Sequence, residues 1–302
     1  MTDPGTPVGV IGLGLMGSAL AARLIDAGVG VLGFDVDAAR TDGLKASGAE
    51  FAAFAADVAA RCRTVVIAVY DAAQLKGLLP DLANVKVPPL VICTTTCAPG
   101  DIAVIAEFAE RSHLPLIEAP ISGTSADVRA GTATALVAGL TETIEAAAAT
   151  LEILCPRRIN VGAIGNASRT KLAINLILQS NRAALAEGIV FAESLGLDGL
   201  TFLASARHSA AYSAVMDSKG PKMLAQDFSP QSRIAQTLKD AELILHEASR
   251  RGLSLPVTSA QAELLRATIG LVGPDSDSAA VIEAIRARRD PGKGFGEDPG
   301  EG

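Results

Sequence analysis

Apolar positions follow two regimes along the chain. In the first, short runs alternate with amphipathic stretches. Val8–Ile11, Val29–Phe34, Thr64–Val69, Leu90–Cys93, Leu114–Ile117, Thr132–Ala138 and Arg158–Val161 read as strands. Thr64–Val69 (TVVIAV) shows the type: short, β-branched and apolar at successive positions, as in a strand buried on both faces. Helical patterns lie between the runs. Leu20, Leu24 and Ile25 share one side of the first, with Arg23 and Asp26 on the other. Others are expected near 37–47, 52–61, 71–79 and 141–154, and from Pro99, a favourable first-turn proline, to Ser112. Strands and helices alternating in this way predict an α/β domain with a doubly wound parallel sheet. Ligands of such sheets lie beyond the carboxyl ends of the strands. After Gly162–Gly165 the alternation stops. Helical periodicity then dominates, near 166–195, 231–251, 256–271 and 278–288. The expected organisation is an α/β domain over 1–162, an all-α domain over 163–290, and a disordered Gly/Pro/charge-rich tail over 291–302.

The turn after the first strand sharpens this picture. GLGLMG, Gly12 to Gly17, stands between a strand and a helix. Gly12 permits the tight turn, Gly14 lets a pyrophosphate approach the backbone, and Gly17 lets helix and strand pack closely. The helix N-terminus offers its N–H groups to the phosphates. The N-terminal domain is therefore expected to be a Rossmann dinucleotide-binding domain, with Leu13, Leu15 and Met16 also in its cofactor loop. Asp35, closing the second apolar run, can bond both ribose hydroxyls and disfavours a 2′-phosphate, which points to NAD. Arg40 is near enough in sequence to leave NADP use open. Val69, Tyr70 and Asp71, Thr94 to Thr96, and Glu118 to Thr124 are the other candidates at strand ends.

Composition narrows the partners. The 302 residues are 49% hydrophobic, enough for a sizeable core, with a net charge of −7 that argues against nucleic acid. Aromatic residues make up only 3%, with no Trp, so base-stacking platforms are not expected. Cys62, Cys93, Cys97 and Cys155 show neither a C-x-x-C pair nor metal-ligand spacing, and read as free buried thiols of a reducing cytosol. The polar start MTDPGTP lacks a basic signal-peptide region, and no stretch reads as a membrane span, so a cytoplasmic protein is expected.

The segment from Asn166 to Gly196 carries the most informative polar residues. It is apolar over much of its circumference, yet Lys171, Asn175 and Gln179 recur at i, i+4, with Arg182 a turn further. Such a stripe faces water, a partner group or a ligand cavity; spacing alone does not choose. Lys171 lies one turn beyond the Gly-rich junction, which predicts that it faces the cleft between domains. Desolvation there would let a lysine exchange a proton near neutral pH. Ser122, Gly123 and Thr124 offer hydroxyls and backbone N–H groups suited to a carboxylate, although an ordinary strand-to-helix turn reads the same way. Lys239 and Asp240, taken alone, read as a solvated charge pair. His113, His208 and His246 are scattered, with no nucleophile or metal-ligand partner at suggestive spacing, and no metal is expected.

Together these motifs resemble the β-hydroxyacid dehydrogenases, the family of 3-hydroxyisobutyrate dehydrogenase, tartronate semialdehyde reductase and, more distantly, 6-phosphogluconate dehydrogenase. The resemblance runs over roughly residues 7–288. GLGLMG is similar to the family's cofactor loop. TTCAP, Thr95 to Pro99, resembles a segment whose threonine touches the nicotinamide side, which implies that role for Thr96. EAPISGT, Glu118 to Thr124, resembles the substrate loop and places Ser122 and Gly123 on the substrate. GAIGNASRTKLAIN, Gly162 to Asn175, resembles the catalytic segment, implying Lys171 as general acid/base and Asn175 as substrate anchor. Phe228 followed by Leu238 to Asp240 is similar to the cofactor-proximal lysine motif, which raises Lys239 from a surface charge to a site residue. PDSDSAAVIEAI, Pro274 to Ile285, fits the family's C-terminal pattern.

Three positions depart from that pattern. Thr124 replaces a usual glycine and narrows the pocket, Asn166 replaces another, and AVYD, Ala68 to Asp71, replaces the usual Leu-Pro. The resemblance implies hydride transfer between a nicotinamide cofactor and a small 3-hydroxyacid or its semialdehyde, in a homodimer or homotetramer. An imine reductase of the same architecture and a non-catalytic dinucleotide-binding module are the alternatives; both generally lack the lysine that stands at 171.

Overall fold

The structure is a computed structural model that describes residues 6–41, 45 and 48–288. The chain divides into two compact units, Met1–Ala173 and Ile174–Gly302. The tail over 291–302, expected to be disordered, lies outside the described residues.

The first unit is built on a nine-stranded sheet. Strands β1 (Val8–Ile11), β2 (Val31–Phe34), β3 (Glu50–Phe51), β4 (Thr64–Ile67), β5 (Leu90–Cys93) and β6 (Leu116–Glu118) all pair in parallel, in the order β3-β2-β1-β4-β5-β6. Helices α1 (Leu15–Asp26), α2 (Ala55–Arg61), α3 (Ala72–Ala83) and α4 (Pro99–Arg111) cross between them. Strand residues alternate between two cores, as a two-residue side-chain period requires. Val10, Val66 and Ile92 pack with Leu20 and Leu24 of α1, whereas Ile11, Val65, Ile67 and Val91 pack with α2, α3 and α4. Each fully buried aliphatic side chain contributes about 1.5–3 kcal/mol. The sheet order reverses between β1 and β4, which puts the ends of those two strands at the switch point where ligands of such sheets bind.

The parallel Rossmann sheet forms as expected over β1–β6, and beyond β6 antiparallel pairings are added to it. Strand β8 (Thr134–Ala138) runs antiparallel to β6 and to the short β7 (Ile121–Ser122). The connection from β7 to β8 contains only the five-residue helix α5 (Ser125–Arg129), too short for the crossover that a parallel pairing needs. Helix α6 (Thr141–Leu154) then returns the chain to β9 (Arg157–Gly162), parallel to β8. The helix expected near 37–47 is a 3₁₀ turn over Ala38–Thr41; residues 42–44 and 46–47 lie outside the described residues.

The second unit is helical. Helix α7 (Asn166–Ser194) begins in the first unit and continues through the second. It is followed by α8 (Gly199–Arg207), α9 (Val215–Ser218), α10 (Gly220–Ala225), α11 (Ile234–Ser249), α12 (Pro256–Val272) and α13 (Val281–Arg286). Leu185, Ile189, Ile234, Ala241, Leu265 and Ile282 are among its core residues. A buried ion pair fastens one side: Lys219 Nζ lies 2.7 Å from Asp277 Oδ1, and Asp277 also accepts from the N–H groups of Gln231, Ser232 and Ala279. Among the described residues no helix is long and apolar enough to cross a membrane. All four cysteines are free and buried, and burial pushes the Cys62 and Cys155 thiols up to about 11.

Candidate active site

The glycine turn forms as its spacing predicts. Gly12 adopts φ +88°, and a Cβ on it would meet Ala68 O at 2.6 Å. A Cβ on Gly17 would fall 1.8 Å from Gly12 O, so helix and turn pack at a distance that only glycine allows. Gly14 differs. Its φ is −68°, and a Cβ there would meet only the end of Arg40, at 3.6 Å. Nothing in the protein therefore requires glycine at 14, while a phosphate at the backbone would. Gly14 is also the N-cap of α1 and provides no side-chain cap, which leaves first-turn N–H groups for an anion. These residues fit a dinucleotide. Leu13 is buried, and Leu15 and Met16 are half-buried beside it.

Asp35 braces this turn. Its Oδ2 accepts from Leu13 N–H at 2.6 Å, its Oδ1 accepts from Asp37 N–H at 2.9 Å, and Arg40 Nη1 lies 3.5 Å from Oδ2. The Asp35 side chain is only 4% exposed, against 43% for Arg40, so the guanidinium is the more accessible charge. Across the switch point, Asp71 caps α3 by accepting from Gln74 N–H. Val69 is half-buried and Tyr70 is 46% exposed. The Thr94 and Thr95 hydroxyls donate to Ile67 O and Val69 O, which ties the turn after β5 to the end of β4; Thr96 follows, half-buried.

The chain from Glu118 to Thr124 leaves the sheet through β7. Ser122 is half-buried and Gly123 exposed, with φ +144° at Gly123. Thr124 caps α5: its hydroxyl accepts from Asp127 N–H at 3.2 Å, and Asp127 Oδ2 accepts from Thr124 N–H at 2.7 Å. This reciprocal pair holds the turn after Gly123 in one conformation. The side chain of Glu118 turns to the start of α7. It accepts from Gly165 N–H, from Ser168 N–H at 3.1 Å and from the Ser168 hydroxyl.

All four residues of the polar stripe on α7 are buried: Lys171, Asn175, Gln179 and Arg182 are 6%, 5%, 2% and 6% exposed. A solvated helix edge is therefore not the explanation of their spacing. Within the helical unit, Asn175 Nδ2 donates to Asp240 Oδ2 at 2.8 Å, and Gln179 Nε2 donates to Thr237 O at 3.2 Å. Gln179 Oε1 accepts from Gln261 Nε2 at 2.8 Å. Lys239 Nζ lies 3.3 Å from Asp240 Oδ1. That overturns the residue-level expectation of a solvated Lys239–Asp240 pair: Asp240 is 7% exposed and Lys239 half-buried. Burial lowers Arg182 to about 10, opposed by the charges of Asp277 and Asp240. The three histidines are exposed. Glu118, Ser168 and Asp240 are polar residues whose roles sequence reasoning missed. The one available signal was a glycine at 165, where a helix start usually carries a capping side chain.

Two family models cover nearly the whole chain. The NAD binding domain of 6-phosphogluconate dehydrogenase matches residues 7–163, and the NAD-binding domain of NADP-dependent 3-hydroxyisobutyrate dehydrogenase matches residues 165–285. The chain is 28% identical over 289 residues to glyoxylate/succinic semialdehyde reductase 2 of Arabidopsis thaliana, covering 93% of this chain and 80% of that protein. It is similar in structure to a Mycobacterium tuberculosis 3-hydroxyisobutyrate dehydrogenase with L-serine (TM-score 0.81, 26% identity, 93% of this chain and 99% of that one). It is also similar to Psf3 in complex with NADP+ and 2-OPP (TM-score 0.85, 26% identity, 92% and 99%).

Proposed function

The chain belongs to the β-hydroxyacid dehydrogenase family and is an NAD(P)-dependent oxidoreductase acting on a CH–OH group, and on that premise we propose that Lys171 is its general acid/base and that a short 3-hydroxyacid or its semialdehyde is its substrate. The observation that carries the proposal is the burial of Lys171 and Asn175, four residues apart on α7. A lysine and a carboxamide one helical turn apart on one face, both shielded from bulk water, match the polar ends of a small hydroxyacid. A hydroxyacid offers a hydroxyl to the first and a carboxylate to the second.

In the oxidative direction, Lys171 Nζ accepts the hydroxyl proton; in the reductive direction it returns that proton to the new alkoxide oxygen. The nicotinamide ring, when bound, supplies the hydride exchange. Ser122 and Gly123 hold the carboxylate through a hydroxyl and a backbone N–H, with the Thr124 cap keeping their turn in place and narrowing the pocket. Asn175 orients the acid. Its bond to Asp240 fixes the carboxamide plane, so the remaining N–H and the carbonyl keep one direction. Gly12 to Gly17 hold the diphosphate, Asp35 the ribose, and Val69, Tyr70, Thr96 and Lys239 the remainder of the cofactor. NAD is favoured by the carboxylate of Asp35, and the exposed guanidinium of Arg40 admits NADP.

Residues 1–162 hold most of the cofactor and lend Ser122 and Gly123 to the acid, and residues 163–290 supply Lys171, Asn175, Lys239 and the subunit contacts. The protein works in the cytoplasm as a homodimer or homotetramer. Ile177 and Phe191, 59% and 64% exposed along α7, with Leu195, 61% exposed just past its end, support a subunit contact there.

The test is reduction of NAD and NADP across short hydroxyacids varied at C2 and C3, with Lys171→Ala alongside. One or more acids should turn over, and K171A should lose about 10²–10⁴-fold in kcat while keeping NADH affinity. Near-normal turnover by K171A removes the acid/base role, and failure of every acid removes the substrate class.

A further inference from the structure

We propose that Glu118 is a positioning residue for the proton-transfer step, capping from the end of β6 the helix that carries Lys171. The inference rests on the acid/base role of Lys171 given above.

Helix α7 cannot cap itself in the usual way. The residue before Asn166 is Gly165, with φ +93°, a conformation that L side chains rarely adopt, so the Ser, Thr or Asp that would normally cap the helix does not fit there. Asn166 is engaged elsewhere. Its Nδ2 donates to Val161 O at 2.9 Å and its Oδ1 accepts from Arg169 Nη1 at 3.0 Å. The amides of Gly165 and Ser168 occupy the two positions that a capping box satisfies reciprocally. Here one carboxylate, from 47 residues earlier, serves both: one oxygen of Glu118 accepts from Gly165 N–H, the other from the N–H and hydroxyl of Ser168. Its charge also suits the positive end of the helix dipole.

This cap is rigid. Glu118 and Ser168 are each 1% exposed. The backbone of Glu118 is paired on both sides, with Cys93 of β5 and Ala138 of β8. Lys171 follows Ser168 by one helical turn, and the same Glu118 opens the segment that reaches Ser122 and Gly123. One side chain thus ties the start of the lysine helix to the root of the substrate loop. Displacement of a reacting group by about 1 Å can cost on the order of 100-fold in rate.

The test compares Glu118→Gln and Ser168→Ala with the parent and with K171A. Glutamine keeps the shape of the side chain but replaces one acceptor oxygen with a donor, so one capping bond is lost. E118Q should lower kcat by about 10–100-fold and leave the KM for NAD(P) within about twofold. The primary deuterium isotope effect on kcat should rise as chemistry becomes limiting. S168A, which removes only the hydroxyl donor, should show the same signature at about three- to tenfold. Amide hydrogen exchange should accelerate over residues 166–171 and not in β1 or β4. A folded E118Q with kcat within twofold and an unchanged isotope effect overturns the proposal, as does an equal loss of NAD(P) binding. If E118Q does not fold, S168A decides by the same criteria. Full turnover by K171A removes the premise and the proposal together; an inactive K171A beside a normal E118Q overturns the Glu118 role alone.

Discussion

The two glycines flanking Leu15 and Met16 should respond in opposite ways to alanine. At Gly17 the added Cβ would sit 1.8 Å from Gly12 O and 2.9 Å from Gly12 C, both backbone atoms. Ordinary contact would require the turn and helix to separate by roughly 1.5 Å, an overpacking cost of about 3 kcal/mol. Alanine returns about 1 kcal/mol of helix propensity, leaving roughly 2 kcal/mol of destabilisation. For a protein of 302 residues that lowers Tm by about 3 °C. At Gly14 the same atom meets only a flexible arginine end at 3.6 Å, and φ −68° is open to alanine. The weaker N-cap costs about 0.5–1 kcal/mol and the stiffer unfolded chain returns a similar amount, so stability should barely change. NADH affinity should nevertheless fall at least about tenfold, because the methyl occupies the space a phosphate needs. Urea unfolding followed by circular dichroism measures the first effect. Titration of NADH emission measures the second. Gly14→Ala binding NADH like the parent refutes the phosphate site, and Gly17→Ala as stable as the parent refutes the close packing.

Cofactor choice should respond to the two charges at the end of β2. Arg40→Ala should weaken NADP by about five- to tenfold and leave NAD within twofold, whereas Asp35→Ala should narrow the NAD/NADP preference; unchanged ratios of kcat/KM would take both residues off the adenosine ribose. Acid stability should depend on Asp277. Burial pushes its carboxyl up, but the charge and hydrogen bonds of Lys219 together with backbone N–H groups hold it below the usual carboxylate range. A depressed native value means that its stabilisation is complete above about pH 5 and drains as pH falls through the native value. Asp277→Asn should remove that part of the slope in denaturation measured from pH 7 to pH 3, and an identical slope in the variant would exclude Asp277 as its source. Phe191→Glu should convert the oligomer to smaller species in light scattering after gel filtration, and an unchanged mass would take this face of α7 out of the subunit contact.

Much of the first unit was legible because its signals are local. An apolar run, three glycines and an amphipathic stretch each constrain a few consecutive residues, and β1, the turn and α1 form where those constraints agree. The antiparallel β8 was not legible. Its apolar run looks like those of the parallel strands, and direction depends on the length of the connection after β7, whose short helix is weakly patterned. Asp35 was singled out by position, but its bonds to Leu13 and Asp37 were not legible, because they depend on how the turn folds back over β2.

The polar stripe shows the limit most clearly. Periodicity placed Lys171, Asn175, Gln179 and Arg182 on one face, and it could not say what covers that face. Three of the four are covered by residues of the helical unit far away in sequence: Asp240 and Thr237 of α11 and Gln261 of α12 for the first pair, and the charges of Asp277 and Asp240 for Arg182. Adjacent charges such as Lys239 and Asp240 look like a solvated pair for the same reason, since a sequence shows neighbours along the chain and not across it. Arg182 carries the argument furthest. Its Nε and Nη1 are buried without hydrogen-bond partners, and the charges of Asp277 and Asp240 oppose the cost of burying it. A buried cation of that kind is a poor stabiliser, and an apolar side chain of similar length is often neutral or better for stability. Its presence therefore has to be explained by the carboxylates around it. One of them, Asp240, fixes the carboxamide of Asn175, so the charge that costs the helical core stability acts on the group that orients the proposed substrate anchor.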